Sequence, residues 1–225
     1  MSNKIFFTLF ILISACCFSQ RIIENNNLHV FIGEKISVVE FDPNTQLVKG
    51  ISKEIDLKTG DTLIITHKSY VMDNAFHCKY FIIKNLMNQL PKETIEFNAY
   101  DHYGRPNFEK HENAIMYISK NKDGFFFQQK YIYDPVYKID GQWVGILSFI
   151  FSNDHLKMWK KFKTININKD YSIKIKLGFC DKKCQKTYYP PSYFKIKNGF
   201  AYPRKAFKIE DILSYRKATI FKIID

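Results

Sequence analysis

The chain has 225 residues and a formal net charge of +12, from 34 Lys and Arg against 22 Asp and Glu. Its 46% hydrophobic and 16% aromatic content is enough for a packed core, which excludes disorder, collagen and coiled coil. Only the first twenty residues carry a long apolar run, which excludes a polytopic membrane protein.

Residues 1–19 are predicted to be a signal peptide. Lys4 supplies a positive start, and Ile5 to Ala15 form an apolar stretch too short to span a bilayer. Cleavage near Ser19–Gln20, after a small residue, is favoured. Alternatively, Ile13-Ser14-Ala15-Cys16 resembles the bacterial lipobox, which implies lipidation of Cys16 as the first mature residue. Either route predicts an exported protein, periplasmic or secreted, or lipid-anchored to the cell envelope.

Residues 28–41 read as a long strand broken by Gly33. Asp42-Pro43-Asn44 is a turn, and residues 45–61 a loop or short hairpin. Residues 62–66 and 69–72 are short strand candidates, and 75–86 is the strongest strand. Residues 94–100 alternate with period two, 101–107 form a turn on Gly104 and Pro106, and 113–120 form another strand. Asp123-Gly124 and Asp140-Gly141 signal hairpins leading into 125–133 and 142–151. Beyond them, 153–163 reads as a helix capped by Asn153 or Asp154, and 171–177 as an alternating strand. Residues 178–205 are rich in Gly, Pro, Cys and Tyr, and 208–222 read as a helix. The expected fold is mainly β: an antiparallel barrel (OB-like) or sandwich over 20–151, with a short helix and a C-terminal α+β extension, residues 152–225, packed on it.

The charge argues against nucleic acid. It comes from 30 Lys and only four Arg (Arg21, Arg105, Arg204 and Arg216), whereas readers of phosphate and base edges lean on the planar arginine fork. With 30 Ile and 16 Asn, the lysine excess reads first as drift toward AT-rich codons and a solvated surface, and second as a face for anionic headgroups or glycans. Residues 157–163 could present such a basic amphipathic segment, or lie on the core with snorkelling lysines.

Export permits disulfides, and a Cys180–Cys184 bridge across a short loop is favoured over a metal site. Cys78, in an apolar strand, reads as a small buried hydrophobe. The densest polar cluster is DHYGRPNFEKHE, residues 101–112. Asp101, His102, Glu109 and His111 are the ligand types that hold a divalent metal and its water, and His102 beside Asp101 could act as a general base. Their spacing matches no metal signature, so an ordinary polar loop is the simpler reading. Aromatic Phe125-Phe126-Phe127, Tyr131, Tyr133 and Tyr137 either fill the core or stack on planar ligands such as sugars. Tyr188, Tyr189, Pro190, Pro191 and Tyr193 form a stiff aromatic loop that covers the core or recognises a partner. No phosphate-binding glycine loop and no nucleophile elbow occurs, which argues against nucleotide-dependent enzymes and α/β-hydrolases.

In residues 28–120 the order FIGEKISVVEF, AFHCKYFIIKNLMNQLPKETIEFNAYDHYG, ENAIMYISK resembles the OB-fold barrel of netrin-like modules and tissue inhibitors of metalloproteinases. That resemblance implies an OB-fold barrel over about ninety residues. Those inhibitors begin with Cys-x-Cys, which nothing after Gln20 matches, so their inhibitory role does not carry over. The chain as a whole looks like an exported bacterial binding or envelope-interaction module with no cofactor. Its partner is expected to be a protein or envelope component, met through segments 101–112 and 185–195, with a membrane reached only through a lipid anchor or the basic surface. The alternative is a metal-assisted hydrolase of an envelope polymer, using Asp101, His102, Glu109, His111 and a divalent metal.

Overall fold

The computed structural model describes residues 27–45, 49–147, 161–167 and 173–223. The signal segment with Cys16 therefore lies outside the described residues, as does most of the 153–163 helix expectation, whose last residues, 161–163, are not helical.

Apolar runs become the central strands. β1 (Leu28–Phe41) pairs antiparallel with β4 (Asn74–Met87) on one side and with β6 (Asn113–Lys120) on the other. β4 pairs with β5 (Thr94–Asp101), and β6 with β7 (Phe126–Ile139). A parallel bridge between Asn98 and Phe127 joins β5 to β7, so these pairings run in a closed cycle. From β7 the sheet continues through β8 (Gln142–Gly145), β13 (Lys205–Lys208) and β9 (Thr164–Asn166), which makes eight strands in all. The chain is thus mainly β, built on one large antiparallel sheet.

Two clusters make the core. One is aromatic and lies among the cycle of strands, with Phe31, Phe76, Tyr80, Phe97 and Phe108. The other uses the opposite faces of β1 and β6 (Leu28, Val30, Ile32, Ile115, Tyr117), packed against Phe194, Phe207, Ile212 and Tyr215 of the C-terminal part. Strand β6 is therefore buried on both faces, which is why its sequence is a continuous apolar run rather than an alternating one.

Gly33 does not break β1. The strand runs through it with a register shift against β4 between Ile32 and Gly33. Glycine is required there because a Cβ would sit 2.6 Å from Phe31 Cε2 and 2.9 Å from Tyr80 Cδ1. Residues 69–72 are not a strand either. β2 (Lys49–Ile55) and β3 (Thr62–Lys68) form a separate, exposed hairpin, and Val71 is instead held by both side-chain amide atoms of Asn44.

The C-terminal part adds α1 (Lys182–Tyr188) and a small sheet in which β12 (Phe200–Pro203) lies between β10 (Ile175–Lys176) and β11 (Phe194–Lys197). The 171–177 strand is short because its pairing spans only the two residues of β10. The last helix also differs from expectation. α2 (Ile209–Arg216) gives way to a π turn, Lys217–Phe221, and stops at Lys222 with φ 53°. The wider turn lets buried Phe221 meet Tyr117, with ring centroids 5.4 Å apart, while Arg216 is buried one turn earlier.

Candidate functional site

The two polar and aromatic candidates of the sequence meet at one cleft of about 500 Å³. Alternation along β7 sends Asp134 and Val136 into the core and leaves Tyr133, Pro135 and Tyr137 on the cleft side. The 3-10 turn Asn107–Lys110 and His111 form the facing wall, and Arg216 of α2 lines the cleft as well.

Tyr131 reaches the cleft by an irregularity. Met116 pairs with Tyr133 but Ile118 pairs with Gln128, so β7 carries a bulge here. Within it Tyr131 has φ 65°, the left-handed region that a bulky side chain rarely adopts. Three bonds fix the bulge. The Gln128 amide donates to the Ile132 carbonyl at 3.0 Å, the His102 N–H donates to the Tyr131 hydroxyl at 3.3 Å, and Lys130 Nζ donates to Asp73 at 2.5 Å. Strain held in place by surrounding contacts is characteristic of ligand sites.

The four candidate ligands do not converge. The Asp101 carboxylate accepts the Tyr103 N–H at 2.8 Å, an Asx turn closing its own corner. His102 Nδ1 lies 3.3 Å from Asp73. Glu109 is held by both nitrogens of the Arg105 fork, at 2.7 and 2.6 Å, which keeps its carboxyl below the ordinary value. Only Asp101 and His111 line the cleft. Among the described residues no group of three or more His, Cys, Asp or Glu side chains could hold a metal ion.

The cleft is rich in hydroxyls that keep their protons. Burial raises the Tyr133 and Tyr137 values, so both rings offer an O–H donor beside an apolar face at neutral pH. His111 is partly buried, 5.9 Å from the Tyr133 ring, and burial with Lys110 and Lys35 nearby lowers its value. The folded state therefore favours the neutral imidazole. Its contribution to stability is complete above the ordinary histidine value of 6.5 and is lost as pH falls below it. A His111→Gln variant, neutral at every pH, is expected to show a flatter unfolding free energy between about pH 6.5 and 5. Denaturant titrations across that range check this, and an unchanged slope rules the histidine out as the source.

Behind the cleft lies a group that the sequence did not reveal. Asp134, fully buried, accepts from Arg216 Nε at 3.0 Å and from its Nη2 at 2.5 Å, and from the Tyr117 hydroxyl at 2.8 Å. The one available signal was the scarcity of arginine. In a lysine-rich chain, Arg105 and Arg216 both stand where a bidentate fork is needed.

The remaining candidates lie elsewhere. Phe127 stacks on Tyr100, and Phe126 meets His29 edge-on. In the 185–195 segment Tyr189 packs on Phe194 and Tyr193 on Phe207, so these rings cover the core. A disulfide joins Cys180, just before α1, to Cys184 within its first turn. Cys78 is buried, and burial pushes its thiol up to about 12. Among the described residues no helix is long and apolar enough to cross a membrane. Comparison with protein-family models, with curated proteins and with solved structures returns no match to this chain.

Proposed function

We propose that the chain is an exported, non-enzymatic binding module that holds a polar, ring-bearing envelope component in the tyrosine cleft. The observation that carries this is Tyr131, kept in a left-handed conformation at the rim of a cleft walled by Tyr133 and Tyr137. Such a wall offers flat faces for stacking and hydroxyl donors for orientation. The cycle of five strand pairings supports the OB-like resemblance, and the resemblance supports a binding scaffold without naming its ligand.

The test is calorimetric titration with soluble fragments of envelope glycan, of the wild type and of a Tyr133→Ala/Tyr137→Ala variant. Binding by the wild type and a loss of about tenfold or more in the variant is the expected result, since stacked aromatic contacts contribute roughly 1–3 kcal/mol each. Binding that ignores both tyrosines would move the site elsewhere. Cleavage of the fragments that needs a divalent ion and His111 would instead favour the hydrolase. Export is checked by the mass of protein recovered from the envelope: a chain starting at Gln20 is expected, and lipid on Cys16 would show the anchored form.

A further inference from the structure

The positive charge is not spread along the chain. Residues 1–151 carry 16 Lys and Arg and 16 Asp and Glu, and residues 152–225 carry 18 against six. The whole +12 therefore sits in the C-terminal third. Codon drift acts on an entire gene and would not leave two thirds of its product neutral.

The small sheet gathers part of this charge around two rings. Lys176 pairs with Phe200, Phe200 with Lys197, and Tyr202 with Lys195, so all five side chains share one face. Ala201, Pro203 and Phe194, on the opposite face, are buried. Lys174, two residues before Lys176, lies with its Nζ 5.0 Å over the Phe200 ring. The four lysines are exposed, and among the described residues none forms an ion pair. Like charges gathered on one face of a sheet repel, and an anion laid among them lowers that cost.

We infer that this face of the β10–β12–β11 sheet is a second binding surface, separate from the tyrosine cleft, for an acidic polysaccharide. Phe200 and Tyr202 offer flat, half-buried rings for the C–H face of a sugar, and the lysines on both sides meet carboxylates spaced along the polymer. Ammonium groups suit single carboxylates as point charges, whereas a phosphodiester backbone favours arginine forks, and β10, β12 and β11 present lysines and no arginine.

The probe is polygalacturonate, titrated against the full chain at several salt concentrations, with neutral dextran, anionic phospholipid vesicles and duplex DNA alongside. In a Lys174→Glu/Lys176→Glu/Lys197→Glu variant, affinity at about 0.15 M salt is expected to fall at least about tenfold, and the salt slope by roughly 3. A control that reverses the three exposed lysines of α1, Lys182, Lys183 and Lys186, changes the net charge equally and is expected to lose less than about twofold. Phe200→Ala is expected to weaken binding at an unchanged salt slope. If the triple variant loses its circular dichroism, the single Lys197→Glu carries the reading, with a slope reduced by about one. Equal losses in patch and control variants, no binding of polygalacturonate, or tighter binding of vesicles or DNA would each overturn the inference.

Discussion

Asp134→Asn or Arg216→Met is expected to cost on the order of 3–5 kcal/mol of folding stability. Each change removes one partner of a pair that is almost wholly buried, and strands the other. Asp134 has no exposed surface, and its oxygens accept from both Arg216 and Tyr117. Arg216 is 7% exposed, at the wall of the cleft, and Tyr215 and Ile212 hold α2 in the core beside it. At roughly 2–4 °C per kcal/mol for a chain of this size, the midpoint of thermal unfolding should fall by about 6–20 °C. Guanidinium denaturation checks the free energy, with an unchanged denaturant slope showing that the folded and unfolded states are otherwise the same. An Asp134→Leu/Arg216→Met double variant is the informative partner, because an apolar replacement of the whole pair is often close to neutral. It is expected to recover most of the loss. A single-variant loss below about 1 kcal/mol would mean that water reaches the pair.

Gly33→Ala is expected to cost about 1–3 kcal/mol, and Gly33→Val more, by overfilling the aromatic cluster. The backbone of Gly33 lies against Phe31 and Tyr80, neither of which has any exposed surface. A methyl group there must push aside two rings that have no room to move, and they in turn press on Phe97 and Phe108, with which Tyr80 is in ring contact. Gly124 serves as the comparison, because nothing lies within 4 Å of the position a Cβ would take there. Its φ of +86° still makes alanine costly, but that cost comes from backbone strain and not from packing. A second change, Phe31→Leu, separates the two causes. It should partly rescue Gly33→Ala and leave Gly124→Ala unimproved. Rescue of both, or of neither, would show that crowding against Phe31 is not what demands glycine at position 33.

The strands that were legible in the sequence are those whose burial pattern is local. The alternation of 94–100 became β5 with one residue added, and 113–120 became β6 with the same limits. β7 runs beyond the expected 125–133 because Pro135, which reads as a strand breaker, is accommodated opposite Ala114. The short strands β11, β12 and β13 were hidden in a Gly- and Pro-rich stretch, since pairing with distant partners makes them strands and local propensity does not. The cleft shows the same division. Its tyrosines and the 101–112 segment stood out as composition, but their meeting depends on a bulge that no periodicity announces. Arg216 and Asp134 are 82 residues apart, and nothing near either one names the other.

If the chain is exported as proposed, the arrangement of its cysteines makes timing matter. Cys180 and Cys184 are separated by four positions, so their encounter is fast in an unfolded chain. Cys78 belongs to β4, far upstream, and is a competent nucleophile only while that strand is undocked. Once the sheet closes over it, the thiolate needed for exchange is suppressed and the sulfur is out of reach of oxidants. Among Cys78, Cys180 and Cys184, a molecule that folds before it is oxidised therefore reaches one pairing. A molecule that is oxidised first can trap Cys78 with Cys180 or Cys184 and must be reshuffled. In the oxidising compartment that the proposed export would reach, the race between sheet closure and oxidation, rather than the count of thiols, sets how much of this protein depends on an isomerase.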